Sequence, residues 1–283
     1  MAAPVVETLA SITPQVAPML DALVAASGWN QTARDWQLFA RLGALHVVRD
    51  GTGTAIASGA VLPMQRVAWI GMILVMPEAR GRGLGRAVFA HCLDQVKRAG
   101  QVAMLDATPQ GEPLYASFGF VPLWRLTRWQ REPVADAVHG HDQHRGGLEG
   151  LAALDAQALG IARPAVLGDL FEREGSRCVR NGAALGLVRA GRVAHHIGPL
   201  LAADERAAAT LLAQAAHGTA GRIVVDVPDG RLAMAQALRD AGFTPRRGFV
   251  RMALDTRAQG YANEAAPTGQ PAFIHAIAGP EFG

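Results

Sequence analysis

Met72–Gly100, MILVMPEARGRGLGRAVFAHCLDQVKRAG, joins an apolar run, a turn dense in arginine and glycine, and an amphipathic segment. The run Trp69–Val75 is too short for a membrane span and stops before Pro77, as a buried strand does. Past the turn, Leu84, Val88, Cys92 and Val96 recur at helical spacing beside Phe89 and Leu93, which predicts a helix starting near Gly83. A loop aimed at a helix N-terminus presents unpaired amide N–H groups and the positive end of the dipole, and so attracts anions. Gly81, Gly83 and Gly85 remove side chains that would hold a phosphate off the backbone, while Arg80, Arg82 and Arg86 add positive charge. Each hydrogen bond to a charged oxygen contributes roughly 1.5–3 kcal/mol, enough for three or four to hold a pyrophosphate. A surface turn with solvated arginines is the other reading of the same letters.

Two familiar phosphate loops do not fit. A P-loop ends in Lys and then Ser or Thr, where this chain has Arg86-Ala87. A dinucleotide fingerprint needs a third small residue, where the two possible frames reach Arg86 or Val88. Arg80-x-x-Gly83-x-Gly85 instead resembles the coenzyme A loop, Q/R-x-x-G-x-G/A, of the GNAT N-acetyltransferase superfamily. The resemblance implies that Ile73, Leu74 and Val75 lie beside pantetheine. It also implies that Arg80, Gly81, Arg82, Gly83, Leu84, Gly85 and Arg86 surround the phosphates of acetyl-CoA, the co-substrate.

The flanking sequence has the order such a domain needs. Pro14–Gly28 and Asp35–Leu42 read as helices, with Trp29-Asn30-Gln31-Thr32 between them. The resemblance makes Trp29 and Asn30 acceptor-site candidates; an N-cap and a packed tryptophan are the alternative. Three strand-like runs follow, at 46–49, 54–62 and 67–75, and after the coenzyme helix comes the buried run Val102–Asp106. A short helix at 112–118 and a strand at 121–129 complete the half.

Tyr115-Ala116-Ser117-Phe118-Gly119-Phe120 resembles the GNAT stretch Y-x-x-x-G-F, which implies that Tyr115 protonates the departing thiolate. The attacking amine must shed a proton, since an alkylamine is neutral only about once in 10³–10⁴ molecules at pH 7. Asp106, at its strand end, is the candidate base, with Asp35 behind it.

The second half repeats the first. Leu105–Gly111, leading to Gly119-Phe120, is echoed by Val225–Gly230, leading to Gly242-Phe243, and Ala194–Leu201 takes the place of the pantetheine strand. Where the first half has its glycine loop, the second has Ala203-Asp204-Glu205-Arg206-Ala207-Ala208, acids without glycine, and Leu238 stands where Tyr115 would. Asp226, the counterpart of Asp106, persists in the half that lost the loop, which also allows Asp106 a purely structural role.

The expected architecture is therefore an α/β fold with mixed sheets: two tandem GNAT-like acyl-CoA N-acyltransferase domains, resembling tandem GNAT proteins of bacteria. The domains run 1–131, catalytic, and 148–283, degenerate, with a polar linker at 132–147. His139, His141, Asp142 and His144 in that linker lack cysteines or an anchored frame, and we expect no metal.

Composition narrows the partners. Half of the 283 residues are hydrophobic, enough for a sizeable core, and the net charge is only +3. Of the 27 basic residues all but Lys97 are arginine, a compositional bias rather than a nucleic-acid surface. No leader or membrane span is evident, and Cys92 and Cys178, on separate elements, read as reduced thiols of a cytoplasmic protein. The expected activity is transfer of an acetyl group to a primary amine of a small molecule or peptide. The alternative is a non-catalytic acyl-CoA sensor. Acyl chain, acceptor, and monomer against homodimer stay open.

Overall fold

A computed structural model describes residues 4–134, 147–255 and 269–283. The linker histidines fall outside those residues. In chain order the elements are β1 (Glu7–Leu9), α1 (Ala17–Ala26), α2 (Ala33–Leu42), β2 (Ala44–Arg49), β3 (Ala55–Met64), β4 (Val67–Val75), α3 (Leu84–Arg98), β5 (Val102–Ala107), α4 (Glu112–Ala116) and β6 (Val121–Arg131). The second half adds α5 (Gly147–Leu159), α6 (Pro164–Phe171), β7 (Arg177–Asn181), β8 (Ala184–Arg189), β9 (His195–Leu201), α7 (Glu205–His217), β10 (Ile223–Pro228), α8 (Leu232–Asp240), β11 (Thr244–Asp255) and β12 (Ile274–Ala276). Only β1 was unforeseen among the first-half elements. Three residues are too few for a periodicity, and β1 is held by pairing with β2 and by the Glu7–Arg49 ion pair at 2.8 Å.

The chain forms two compact units that do not follow the sequence repeat. Unit 1 comprises Met1–Leu105 with Ala253–Ala266, and unit 2 comprises Asp106–Met252 with Pro267–Gly283. In unit 1 the strands run β1-β2-β3-β4-β5, antiparallel except for the parallel pair β4 and β5. That parallel ladder pairs Val67, Ala68 and Trp69 with Val102, Ala103 and Met104 and then stops. A register shift in β4 opposite Gly59 leaves Met72 at φ +55°, a bulge that re-aims the end of the strand. α3 buries Leu84, Val88, Phe89, Cys92, Leu93 and Val96, the stripe its spacing predicts.

Unit 2 orders its strands β11-β6-β10-β9-β8-β7, with β12 added on β9. Here the second half of β6, the last strand of the first repeat, pairs antiparallel with the whole of β10 of the second, from Ile223 opposite Arg131 to Pro228 opposite Leu126. Trp129 of β6 joins the core built by Ile197, Leu212, Val225 and Met234. The tail of the first repeat is thus part of the second unit's core, because the apolar face of β6 is satisfied there.

Candidate functional site

In unit 1 the site is built around the entry to α3. After β4 a single 3-10 turn, Pro77–Ala79, brings the chain round, and the Arg80 Nε donates to the Val75 carbonyl at 3.3 Å. Gly81 and Gly83 adopt φ +73° and +75°, the left-handed region where a Cβ would clash with its own backbone. A Cβ at either would otherwise meet open space. Gly83 is the N-cap of α3 and no side chain caps that end. Arg80, Gly81, Arg82, Gly83 and Arg86 are exposed, whereas Leu84 is buried and anchors the helix start. First-turn amides that no side chain caps, a positive dipole end and three flanking guanidinium groups fit a phosphate-bearing ligand. Ile73 and Val75 are half-buried and Leu74 is buried at the β4 end that leads into this loop.

Trp29 and Asn30 are half-buried in the loop between α1 and α2. Asp35 belongs to the capping box of α2: its Oδ2 accepts from the Thr32 N–H at 2.6 Å and from the Thr32 hydroxyl at 3.0 Å. A carboxylate so engaged, and 4% exposed, stabilises the helix start.

In unit 2, Tyr115 lies in α4, half-buried, with its ring 6.4 Å from that of Phe120. A Cβ at Gly111 would come within 2.9 Å of the tyrosine ring, so the glycine that opens α4 makes room for it. The Asp106 side chain is fully covered, and both carboxylate oxygens accept from Arg251, Oδ1 from Nε at 2.9 Å and Oδ2 from Nη2 at 2.8 Å. Burial pushes its carboxyl up, against the opposing pull of the Arg251 guanidinium. The Arg251 guanidinium in turn stacks 4.3 Å from the Trp124 ring.

A second pair mirrors this one, with its arginine from the first repeat and its aspartate from the second. Arg128 donates from Nε and Nη2 to the two oxygens of Asp226, both at 2.7 Å. The His196 Nε2 lies 3.1 Å from Asp226 Oδ2, and the Arg189 Nη1 2.6 Å from His196 Nδ1. The partners assign a neutral imidazole with its proton on Nε2. Burial first, then Arg189, pushes His196 down to about 4. Against the upward push of burial, Arg128 and His196 hold Asp226 below the usual carboxylate range. The two arginines were missed in reading the sequence, although a signal was present: Arg128 stands eight residues after Phe120, and Arg251 eight after Phe243. Cys92 and Cys178 are both free and buried.

Residues 19–120 match the family model described as the acetyltransferase (GNAT) family, and residues 151–264 match one described as an acetyltransferase (GNAT) domain. The chain belongs to the GNAT family. It is a tandem GNAT protein with mixed sheets, as the motifs and the repeat led us to expect, and its activity class is acyl transfer. Among named relatives, the holothin acyltransferase of Pseudoalteromonas sp. (strain SANK 73390) is 28% identical over 234 residues, covering 76% of this chain and 73% of the relative. An uncharacterised N-acetyltransferase of Bacillus subtilis (strain 168), YitH, is 22% identical over 236 residues, covering 78% and 82%. Among solved structures, a putative acetyltransferase from Pyrococcus horikoshii shares the fold at TM-score 0.76, 21% identity and coverage of 98% and 96%. A tandem GNAT protein from the clavulanic acid biosynthesis pathway does so at TM-score 0.63, 16% identity and coverage of 90% and 100%. Among the described residues of this GNAT protein, no helix is long and apolar enough to cross a membrane.

Proposed function

We propose that the chain is a cytoplasmic, acetyl-CoA-dependent N-acetyltransferase, whose first repeat, residues 1–131, carries the chemistry and whose second, 148–283, keeps the fold. The observation that supports this most is the contrast between the two helix entries. α3 starts at an uncapped glycine with φ +75°, while at α7 the Asp204 carboxylate accepts from the Ala207 N–H at 3.0 Å and fills the anion position with protein. Only the first entry is open to a diphosphate.

In this reading the amides and arginines from Arg80 to Arg86 hold the phosphates, and Ile73, Leu74 and Val75 line the pantetheine. The thioester is then presented to a primary amine of a small molecule or peptide, received near Trp29 and Asn30. The amine nitrogen bonds to the acyl carbon, the carbon–sulfur bond breaks, and Tyr115 protonates the departing sulfur. Such a thiol, with an ordinary pKa near 8.5, is a tolerable leaving group, so one placed donor contributes about 10²–10⁴ in rate. Orientation of the two reactants supplies much of the remainder. We assign Asp106 to positioning rather than proton acceptance, because both its oxygens are held by Arg251 and its side chain is 0% exposed. The amine proton then leaves to water.

The test is calorimetric titration with acetyl-CoA, followed by thiol release against a panel of primary amines with acetyl-, propionyl- and succinyl-CoA. Binding with turnover, fastest for the acetyl donor, is the expected outcome. Binding without turnover on any amine would make the chain a sensor. No heat at millimolar coenzyme would end the reading.

A further inference from the structure

The divergence of β4 from β5 in unit 1 has a counterpart in unit 2. β9 and β10 are also parallel, and their ladder pairs only His195 with Ile223 and His196 with Val224. β9 also carries a register shift against β8, between Gly186 and Val188, as β4 does against β3. With Asp106 set against Asp226, Trp69 opposite Met104 falls on His196 opposite Val224. Counting forward, Ile73, Leu74 and Val75 fall on Leu200, Leu201 and Ala202.

Those three positions are not treated alike. In unit 1, among the described residues, no strand pairs with β4 on its β5 side beyond Trp69. In unit 2 the corresponding residues are taken by β12: Ile274 sits opposite Leu201, Ala276 opposite Leu200, and the Ala202 N–H donates to the Phe273 carbonyl at 3.1 Å. The Ile277 N–H donates across to the Asp226 carbonyl of β10 at 3.0 Å, so the tail contacts both diverging strands. His275 Nε2 donates to the Ala202 carbonyl at 3.1 Å, and Arg231 donates to the carbonyls of Pro271, at 2.7 Å, and Ile274, at 3.2 Å. Ile274, Ala276 and Ile277 are at most 3% exposed. Gly198 admits this segment, since a Cβ there would lie 2.0 Å from the Ile277 carbonyl oxygen.

We propose that the second repeat has turned its coenzyme-type gap into a slot for an extended peptide, and that the resident ligand is the chain's own Phe273–Ile277. The slot binds as sheet augmentation does, with main-chain hydrogen bonds for affinity and the buried side chains of Ile274, Ala276 and Ile277 for selectivity. Both parts of a coenzyme site are thereby replaced by protein, the strand edge by the tail and the helix entry by Asp204. Each chain then takes up one coenzyme. This last consequence rests on the proposed function of the first repeat; the tail assignment does not.

Amide hydrogen exchange on the full-length protein, with and without coenzyme A, separates the two. The Ala202 and Ile277 amides should exchange slowly in the free protein and be unchanged by coenzyme, which should slow exchange only between residues 73 and 87, with a stoichiometry of one. Slowed exchange at 200–202 on adding coenzyme, or a stoichiometry of two, would overturn the proposal, as would fast Ile277 exchange in the free protein. If coenzyme changes nothing anywhere while Ala202 and Ile277 stay slow, the function fails and the slot stands. Gly198→Ala should speed Ile277 exchange at least tenfold. Unchanged exchange in a folded Gly198→Ala protein would also count against the slot.

Discussion

Arg251 reaches Asp106 across 145 residues of sequence and closes on it with two parallel hydrogen bonds, as Arg128 does on Asp226 across 98. The arginines occupy equivalent positions in the two repeats, and so do the aspartates, yet each arginine pairs with the aspartate of the other repeat. Together with the pairing of β6 on β10, this shows the final strands of the repeats exchanged. Neither repeat keeps its own last strand.

Arg251→Met should therefore destabilise the protein by about 3–5 kcal/mol, because it leaves a buried carboxylate uncompensated. Adding Asp106→Asn should recover a large part of that loss, since the stranded charge goes with it. Denaturant melts of the three proteins make the comparison. A single Arg251→Met variant as stable as the parent would mean that the pair contributes nothing.

The same carboxylate can be tested for chemistry. Asp106→Asn, assayed well below its melting temperature, should lower kcat by less than about tenfold, far short of the 10²–10⁴ expected for a lost base. A drop of a hundredfold with unchanged KM for coenzyme would restore Asp106 as the proton acceptor.

Tyr115→Phe keeps the ring and removes the hydroxyl. The expected result is a fall in kcat of about 10²-fold or more with coenzyme affinity unchanged. Gly111→Ala, whose Cβ would press to 2.9 Å from the tyrosine ring, should lower kcat in the same sense without touching the loop. If both variants turn over normally, the leaving thiolate finds its proton elsewhere.

At the loop, Arg80→Glu should weaken coenzyme binding by roughly 30-fold or more, about 2 kcal/mol, through loss of a cation and gain of an anion beside the phosphates. Gly83→Val should do at least as much, because a β-branched residue is strained at φ +75° and covers the amides. Calorimetry gives both values directly, and parental affinity in either would remove the loop from the coenzyme site.

Stability should fall between pH 6.5 and 4. His46, 2% exposed, with Gln95 at 2.9 Å from its Nε2, is pushed down to about 4, chiefly by burial, as is His196. Above 6.5 both are neutral folded or unfolded, and pH has no leverage through them. As pH falls through 6.5 the unfolded chain takes up the protons and the folded chain refuses them until about 4. Each histidine then costs up to about 3 kcal/mol. Asp226, held low in the folded state, keeps its contribution across this window and loses it only in stronger acid. Melting temperatures from pH 7.5 to 4.5 should decline, and His46→Gln should shallow the slope. A flat profile would contradict both assignments.

Most of the local structure was readable from letters alone. The stripe Leu84, Val88, Cys92 and Val96 fixes a helix because its period is set by backbone geometry, and Gly81 and Gly83 mark a turn because few other residues tolerate positive φ. The repeat of Asp106 and Gly119-Phe120 in Asp226 and Gly242-Phe243 announced two copies of one fold. Which strand lies beside which was not so written. Parallel and exchanged pairings satisfy the same alternation of side chains, so nothing local distinguishes β6 returning to its own repeat from β6 laid on β10. The choice depends on Trp129 finding its core and on two arginines finding their carboxylates far along the chain. Likewise the apolar run in Phe273–Ile277 can bury itself as a strand, but its place in the gap between β9 and β10 depends on main-chain groups that those strands leave unpaired only when assembled. Sequence sets what each segment can bury and how its backbone can turn; partnership between distant polar groups is settled when burial brings them within hydrogen-bond reach.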